Sequence, residues 1–174
     1  EPFVSFIGGK KRLRIQRQNG TQESLNVNIP AGVKDGGVLR LAGQGHPPIG
    51  GGPCGDLNVK LRIGTHPVLR RDNKDLEMDL PITIGEGVLG AQIRVPTVTG
   101  DINVRIPPGS TNGTRLRLKG RGVQSSPPGD LYLVLRPQLP KLDPSNELHQ
   151  TLAEKAVEVF DSLYPSPVRK DLKL

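Results

Sequence analysis

The sequence predicts a mainly β protein: two tandem small β-sandwich-like domains of the same fold, followed by a C-terminal amphipathic helix. The first observation behind this is an internal repeat. Residues 25–45 read LNVNIPAGVKDGGVLRLAGQG and residues 102–122 read INVRIPPGSTNGTRLRLKGRG, so that at an offset of 77 about half the positions are identical. Gly32 and Gly109, Gly36 and Gly113, and Gly45 and Gly122 stay in register, and a fixed period of this length marks two copies of one structural unit. The second observation is composition: 22 Gly and 17 Pro against three Phe, two Tyr and no Trp suit short strands joined by turns, not a helical bundle. The third is a change of period after Pro140, from two to that of a helix.

Alternation of apolar and other residues predicts strands over 12–17, 23–29, 38–42 and 56–63 in the first copy. The second copy repeats the pattern over 75–82, 91–96, 101–106, 114–119 and 130–136. Each copy ends on Gly-Asp-Leu and a strand-like run, Gly55-Asp56-Leu57 in one and Gly129-Asp130-Leu131 in the other. Asn19-Gly20 separates two runs as a hairpin turn would, and Asn112-Gly113 lies between two others. Both are also glycosylation sequons, but without a secretory signal the turn reading holds. The charged stretch THPVLRRDNKDL, residues 65–76, is the natural boundary, giving domains over 1–68 and 69–138 and a helix with tail over 139–174. The second copy opens with a strand, LEMDLPI, and a short GEGVLG turn; EPFVSFIGG in the first corresponds only to that turn. Its opening strand is therefore expected before Glu1, and the chain is expected to be a fragment.

Asp143-Pro144 offers an N-cap and a proline at the first helical position. Leu148, Leu152, Ala156, Val159 and Leu163 then fall on one stripe, and Pro165 and Pro167 end the helix. Such a helix either folds back on its own sheet or meets a copy of itself.

The single Cys54 excludes an intramolecular disulfide and, with only three His, a cysteine-based zinc site. No apolar run reaches the roughly 18 residues a membrane span needs, and no signal pattern opens the chain, so a protein of the cytoplasm, or of an organellar matrix or stroma in a eukaryote, with no membrane partner is expected. The net charge of +7 invites a nucleic-acid reading. Its densest cluster, Lys10-Lys11-Arg12 with Arg14 and Arg17, reads either as a solvated strand face or as a basic docking surface for DNA. His46, His66 and His149 have no metal-ligand spacing, and neither a GxSxG elbow nor a phosphate loop occurs. Asp56 and Asp130 recur at matched positions, which argues for fixing a turn over catalysis. No catalytic residue, metal or cofactor is expected; the chain reads as a binding protein. Small Gly-rich sheets with thin cores leave apolar positions and strand edges to which extended segments can pair.

Taken in order, IPAGVKDG, LRLAGQG, GDLNVKL, THPVLRRDNKDLEMDLPI, EGVLGAQIRVPTVTGDINVRIPPGSTNGTRLRLKGRGV and GDLYLVL closely resemble the two C-terminal substrate-binding domains of DnaJ-type co-chaperones. The resemblance covers nearly the whole chain. It is closest to the class B arrangement, including the CbpA-like group, because only a short hairpin separates Ile15 from Leu25 where class A members insert zinc-finger repeats. It implies an unfolded-client site on the first domain, a homodimer formed through the C-terminal helix, and delivery of clients to the seventy-kilodalton heat-shock chaperone. The J-domain that stimulates that chaperone's ATP hydrolysis is not among these residues. Carried onto this sequence, the client groove would involve Lys11, Leu13 and Ile15 with Val59 opposite, its other wall being the strand expected before Glu1. The matching second-domain positions are Met78, Leu80, Ile93 and Val95, for which core packing is the favoured alternative to a second groove. Leu148, Leu152, Ala156, Val159 and Leu163 would face the dimer partner. Association of the CbpA-like group with DNA keeps the basic reading open.

Overall fold

The computed structural model describes residues 2–17, 20–48, 50 and 52–164. They run α1 (Pro2–Ile7), β1 (Gly9–Gln16), β2 (Gln22–Ile29), β3 (Val38–Leu41), β4 (Leu57–Lys60), β5 (Leu69–Asp72), β6 (Asp75–Thr83), α2 (Ile84–Leu89), β7 (Ala91–Thr97), β8 (Gly100–Ile106), β9 (Arg115–Leu118), β10 (Leu131–Gln138) and α3 (Glu147–Ser162). Residues up to Gln138 form one compact unit and those from Leu139 a second. The protein is mainly β, and every strand the alternation predicts is present.

The repeat is carried by strand register. β1 pairs antiparallel with β2, Gly9 opposite Ile29 and Leu13 opposite Leu25, while β7 pairs with β8, Ala91 opposite Ile106 and Val95 opposite Ile102. Lys11 therefore corresponds to Ile93, and Leu13 to Val95. Gly8 and Gly90 end the short helices at φ 74° and 76°. A Cβ on Gly8 would lie 2.9 Å from the Ala31 nitrogen and one on Gly90 2.8 Å from the Ile106 carbonyl oxygen, so glycine is required in both copies. The recurring aspartates fix turns. Asp56 accepts a hydrogen bond from Gly43 N–H (2.9 Å) and pairs with Arg40, as Asp130 does with Gly120 N–H (2.7 Å) and Arg117. The backbone donor first and the arginine second hold both carboxyls below their ordinary range.

The copies differ in what flanks their last strand. β10 lies between antiparallel β9 and parallel β6, with β5 on the far side of β6. β4 pairs with β3 on one side, and its other edge carries no strand among the described residues. The alternating DLEMDLPIT of β6 drives Leu76, Met78, Leu80 and Ile82 inward, where they meet Leu131, Leu133 and Leu135 of β10 in the core. In the first copy Phe6 and Val27 are buried, whereas Leu13, Ile15, Leu25, Leu39, Leu41, Leu57 and Val59 are only half-buried.

Sequence reading missed three elements. The charged stretch read as a boundary contains β5, which turns into β6 through Asn73 at φ 52°. The GEGVLG and EPFVSFIGG segments, read as turns, form α2 and α1. The signal for α2 was the Thr83-x-x-Glu86 spacing: Thr83 Oγ1 accepts from Glu86 N–H and Glu86 accepts from Thr83 N–H. α3 also starts later than predicted. Asn146, not Asp143, is its cap, accepting from Leu148 and His149 N–H, because Asp143 is engaged by the Ser145 N–H and hydroxyl. Asn112-Gly113 links β8 and β9, which are not paired; Gly113 N–H and Thr114 C=O instead bond Leu135. Asn19, Pro165 and Pro167 lie outside the described residues.

One face of the four-stranded sheet carries an ionic lattice. Arg70 spans Glu77 (2.9 Å) and Asp79 (2.8 Å), Arg136 reaches Asp79 (3.0 Å), and Arg115 pairs with Glu77 (3.0 Å) while lying 4.7 Å over the Tyr132 ring. Arg70 foremost, then Arg136, lowers the Asp79 carboxyl to about 2. Its unfolded value is about 3.9, so the stabilisation from Asp79 is complete above roughly pH 5 and is lost as pH falls through about 2. The expected result is that wild type melts higher than Asp79→Asn at neutral pH and that the two melting curves converge near pH 2.

Candidate binding groove

The two-residue period of β1 gives the hairpin two different faces. Lys11, Leu13 and Ile15 are half-buried on one, and Lys10, Arg12, Arg14 and Gln16 are exposed on the other. On the half-buried face lies a cleft of about 220 Å³. It is lined by Lys11 and Leu13 of β1, Val4 and Ser5 of α1, Ile29 and Val33 at and after the end of β2, and Leu61 and Ile63 just past β4. Arg12 and Arg62 stand with Lys11 in the lining, and no carboxylate does so among the described residues. An extended chain with apolar side chains at alternate positions fits such a slot, since a side chain can enter while the polar backbone stays near the rim.

Of the residues expected at a groove, the structure brings Lys11 and Leu13 to the cleft; Ile15, further along the same face, and Val59, opposite Leu39 in the β3–β4 pair, lie outside its lining. Leu61 and Ile63 were missed although the alternation of LNVKLRI places them on the face of Val59. Val4 and Val33 had no sequence signal, because tertiary crossing of α1 and the turn after β2 brings them in. In the second copy Met78, Leu80 and Val95 are 6%, 8% and 1% exposed and Ile93 packs against the same core.

The wall at Val33 is held by the second copy. Arg71 of β5 donates to the Val33 carbonyl (2.8 Å), the Gly32 carbonyl (2.9 Å) and the Asn73 carbonyl (2.8 Å). Burial lowers its pKa, and no carboxylate pairs with it among the described residues. Gly32 N–H bonds the Ser5 carbonyl, Gln124 N–H bonds the Phe6 carbonyl, and the Phe6 ring lies 6.2 Å from that of His66.

The opposite, exposed face of the hairpin sets Lys10, Arg12 and Arg14 beside Asn28, Asn26 and Ser24 of β2. Arg17, Arg40, Arg70, Arg94, Arg115, Arg117 and Arg136 all pair with acids, whereas Lys10, Arg12 and Arg14 have no ion pair among the described residues.

In the second unit Leu148, Leu152, Ala156, Val159 and Leu163 are all exposed. Val157 and Phe160, outside the predicted stripe, are exposed as well and widen the apolar arc. His66 Nδ1 accepts from Val68 and Leu69 N–H, and His149 Nδ1 from Asp143 N–H, which gives both structural duties; His46 and Cys54 are exposed. Among the described residues no three His, Cys, Asp or Glu cluster as metal ligands, and no helix is long and apolar enough to cross a membrane.

The sequence profile of the family described as "DnaJ C terminal domain" matches residues 4–140. "Curved DNA-binding protein" of Coxiella burnetii (strain RSA 493 / Nine Mile phase I) is 39% identical over 157 residues, which are 89% of this chain and 48% of that protein. The protein of the same name from Pseudomonas syringae pv. tomato is 43% identical over 88% of this chain and 50% of its own. "Chaperone protein DnaJ" of Caldicellulosiruptor bescii is 44% identical over 69% of this chain and 32% of its own. The chain thus spans about half the length or less of these curated relatives.

Proposed function

Because this chain belongs to the DnaJ C-terminal domain family, we propose that it is the client-holding part of a co-chaperone, gripping unfolded polypeptide in the cleft of the first copy. The observation that carries this reading is the apolar lining that Leu13 shares with Val4, Val33, Leu61 and Ile63, with Lys11 and Arg62 beside it. Each client Leu or Phe buried there contributes about 1.5–3 kcal/mol before ordering costs, so the grip is weak, reversible and tolerant of sequence. Holding needs no nucleotide and no chemistry on the client. In this reading, delivery to the seventy-kilodalton heat-shock chaperone falls to a J-domain of the whole co-chaperone, in the cytoplasm. Residues 1–68 and 69–138 are then a working and a supporting copy of one domain. Light scattering of a denatured model protein tests the reading: the chain should suppress aggregation without ATP, and unchanged scattering would overturn it.

The exposed apolar arc of α3 is proposed as a dimer interface. A narrow stripe would suit a two-helix seam; the added Val157 and Phe160 give each helix enough apolar surface to be covered from two sides. Leu152→Glu combined with Val159→Glu should convert a sedimenting dimer to monomer, and an unchanged mass would reject the interface.

A second reading, duplex DNA binding, is favoured by the unpaired cationic row Lys10, Arg12 and Arg14 and by the names of two relatives. Alternate strand residues lie about 7 Å apart, the amides and hydroxyl of Asn28, Asn26 and Ser24 can donate to phosphate oxygens, and scarce aromatics disfavour single strands. Changing all three cations to Gln should reduce the slope of log K against log salt by about 2–3. An unaltered slope would remove this face from consideration.

A further inference from the structure

The hairpin of β1 and β2 is a two-stranded sheet of its own, as β7–β8 is in the second copy beside the four-stranded sheet. The exposed face of the first hairpin is a double row in register: Lys10 opposite Asn28, Arg12 opposite Asn26 and Arg14 opposite Ser24. All six side chains are polar and none is acidic. None of them makes a side-chain hydrogen bond or an ion pair among the described residues, so their donors point outward unused. The matched face of the second hairpin differs. Gln92, Pro96 and Asp101 stand where the first has Lys10, Arg14 and Ser24, and Arg94, the counterpart of Arg12, is paired with Asp101 at 2.9 Å.

Strands in a pair lie about 4.8 Å apart, and the major groove of duplex DNA, about 12 Å wide, admits a two-stranded ribbon where the minor groove, at about 6 Å, is too narrow. Such ribbons carry a strong right-handed twist, the hand of the duplex. Arginine is the bidentate partner of guanine O6 and N7, and asparagine that of adenine N6 and N7. Directly opposite side chains start about 5 Å apart, so Arg12 and Asn26 can reach neighbouring base pairs at once.

We infer that this face enters the major groove and reads base edges, Arg12 taking a guanine and Asn26 a nearby adenine, while Lys10 and Arg14 on either side of Arg12 hold phosphates. This rests on the duplex-DNA reading above and adds sequence preference to it, which phosphate contacts alone do not give.

The test is selection by the full chain from a pool of short duplexes with randomised centres. Wild type should enrich a site holding a guanine and a nearby adenine. Exchanging those two bases for their 7-deaza analogues, which lack the N7 acceptor in the major groove, should weaken binding about ten-fold. Inosine in place of that guanine lacks only the minor-groove amino group and should leave binding unchanged. Arg12→Ala should lose the preference for guanine and Asn26→Ala that for adenine, whereas Lys10→Gln should weaken enriched and scrambled duplexes alike. All three side chains are exposed, so the variants keep their fold. Binding with no site enriched, an enriched site indifferent to both Arg12→Ala and Asn26→Ala, or loss on the inosine exchange without loss on the 7-deaza exchange would each overturn the inference while leaving duplex binding intact. If wild type binds no duplex even in dilute salt, the duplex-DNA reading fails and this inference with it.

Discussion

Replacing Gly129 by Ala should destabilise the first unit by about 3 kcal/mol or more, while the same change at the matched Gly55 should stay within about 0.5 kcal/mol of wild type. A Cβ on Gly129 would overlap the Lys74 carbonyl, which is backbone and cannot turn away. That carbonyl accepts from Val123 N–H (2.9 Å), while Leu76 N–H bonds the Asp130 carbonyl and Asp130 N–H bonds Asp75 (2.8 Å each). The β5–β6 turn is thus clamped onto the Gly-Asp-Leu corner, and relief would require breaking several bonds together. At Gly55 the nearest atom to a new Cβ, the His46 carbonyl oxygen, lies 3.9 Å away, in ordinary contact. Thermal unfolding of the two variants measures the contrast, with a fall of about 6–12 °C expected for Gly129→Ala. Equal melting temperatures would show that the corner is not a pressure point.

Leu13→Ser together with Leu61→Ser should reduce client affinity by more than about ten-fold, because both residues line the cleft and each change removes about 1.5–3 kcal/mol of apolar burial. Both residues are already half-buried and not central to the core, so the variant should keep its fold, as circular dichroism would register. Ile15→Ser and Val59→Ser provide the contrast: both lie outside the lining and should retain most of the aggregation suppression. If the Ile15 and Val59 changes abolished holding while the Leu13 and Leu61 pair left it intact, the groove would run along the outer end of the hairpin instead.

The strands were legible because alternation is a local property of β backbone, and the repeat made each reading count twice. Register followed too, since Ile29 and Ile106 occupy the same place opposite Gly9 and Ala91. β5 was not legible: Arg70 and Arg71 look like linker charges, yet one is neutralised by Glu77 and Asp79 and the other by backbone carbonyls across the copies. Those partners are distant in sequence, so no window reveals them. The short helices were misread because six residues hold too few turns for a helical period, although the Thr83–Glu86 capping pair was visible. At the cleft, Lys11 and Leu13 followed from β1 alone, whereas Val4, Val33 and Arg71 depend on how the chain crosses itself.

The ionic lattice on the four-stranded sheet has a bearing on how the protein responds to its medium. Arg70, Glu77, Asp79, Arg115 and Arg136 are all partly exposed, and dissolved ions screen exposed charges from one another. What this face contributes to stability is therefore greatest in dilute buffer and declines as ionic strength rises, while the apolar core around Leu76, Leu131, Leu133 and Leu135 behind it is untouched by screening.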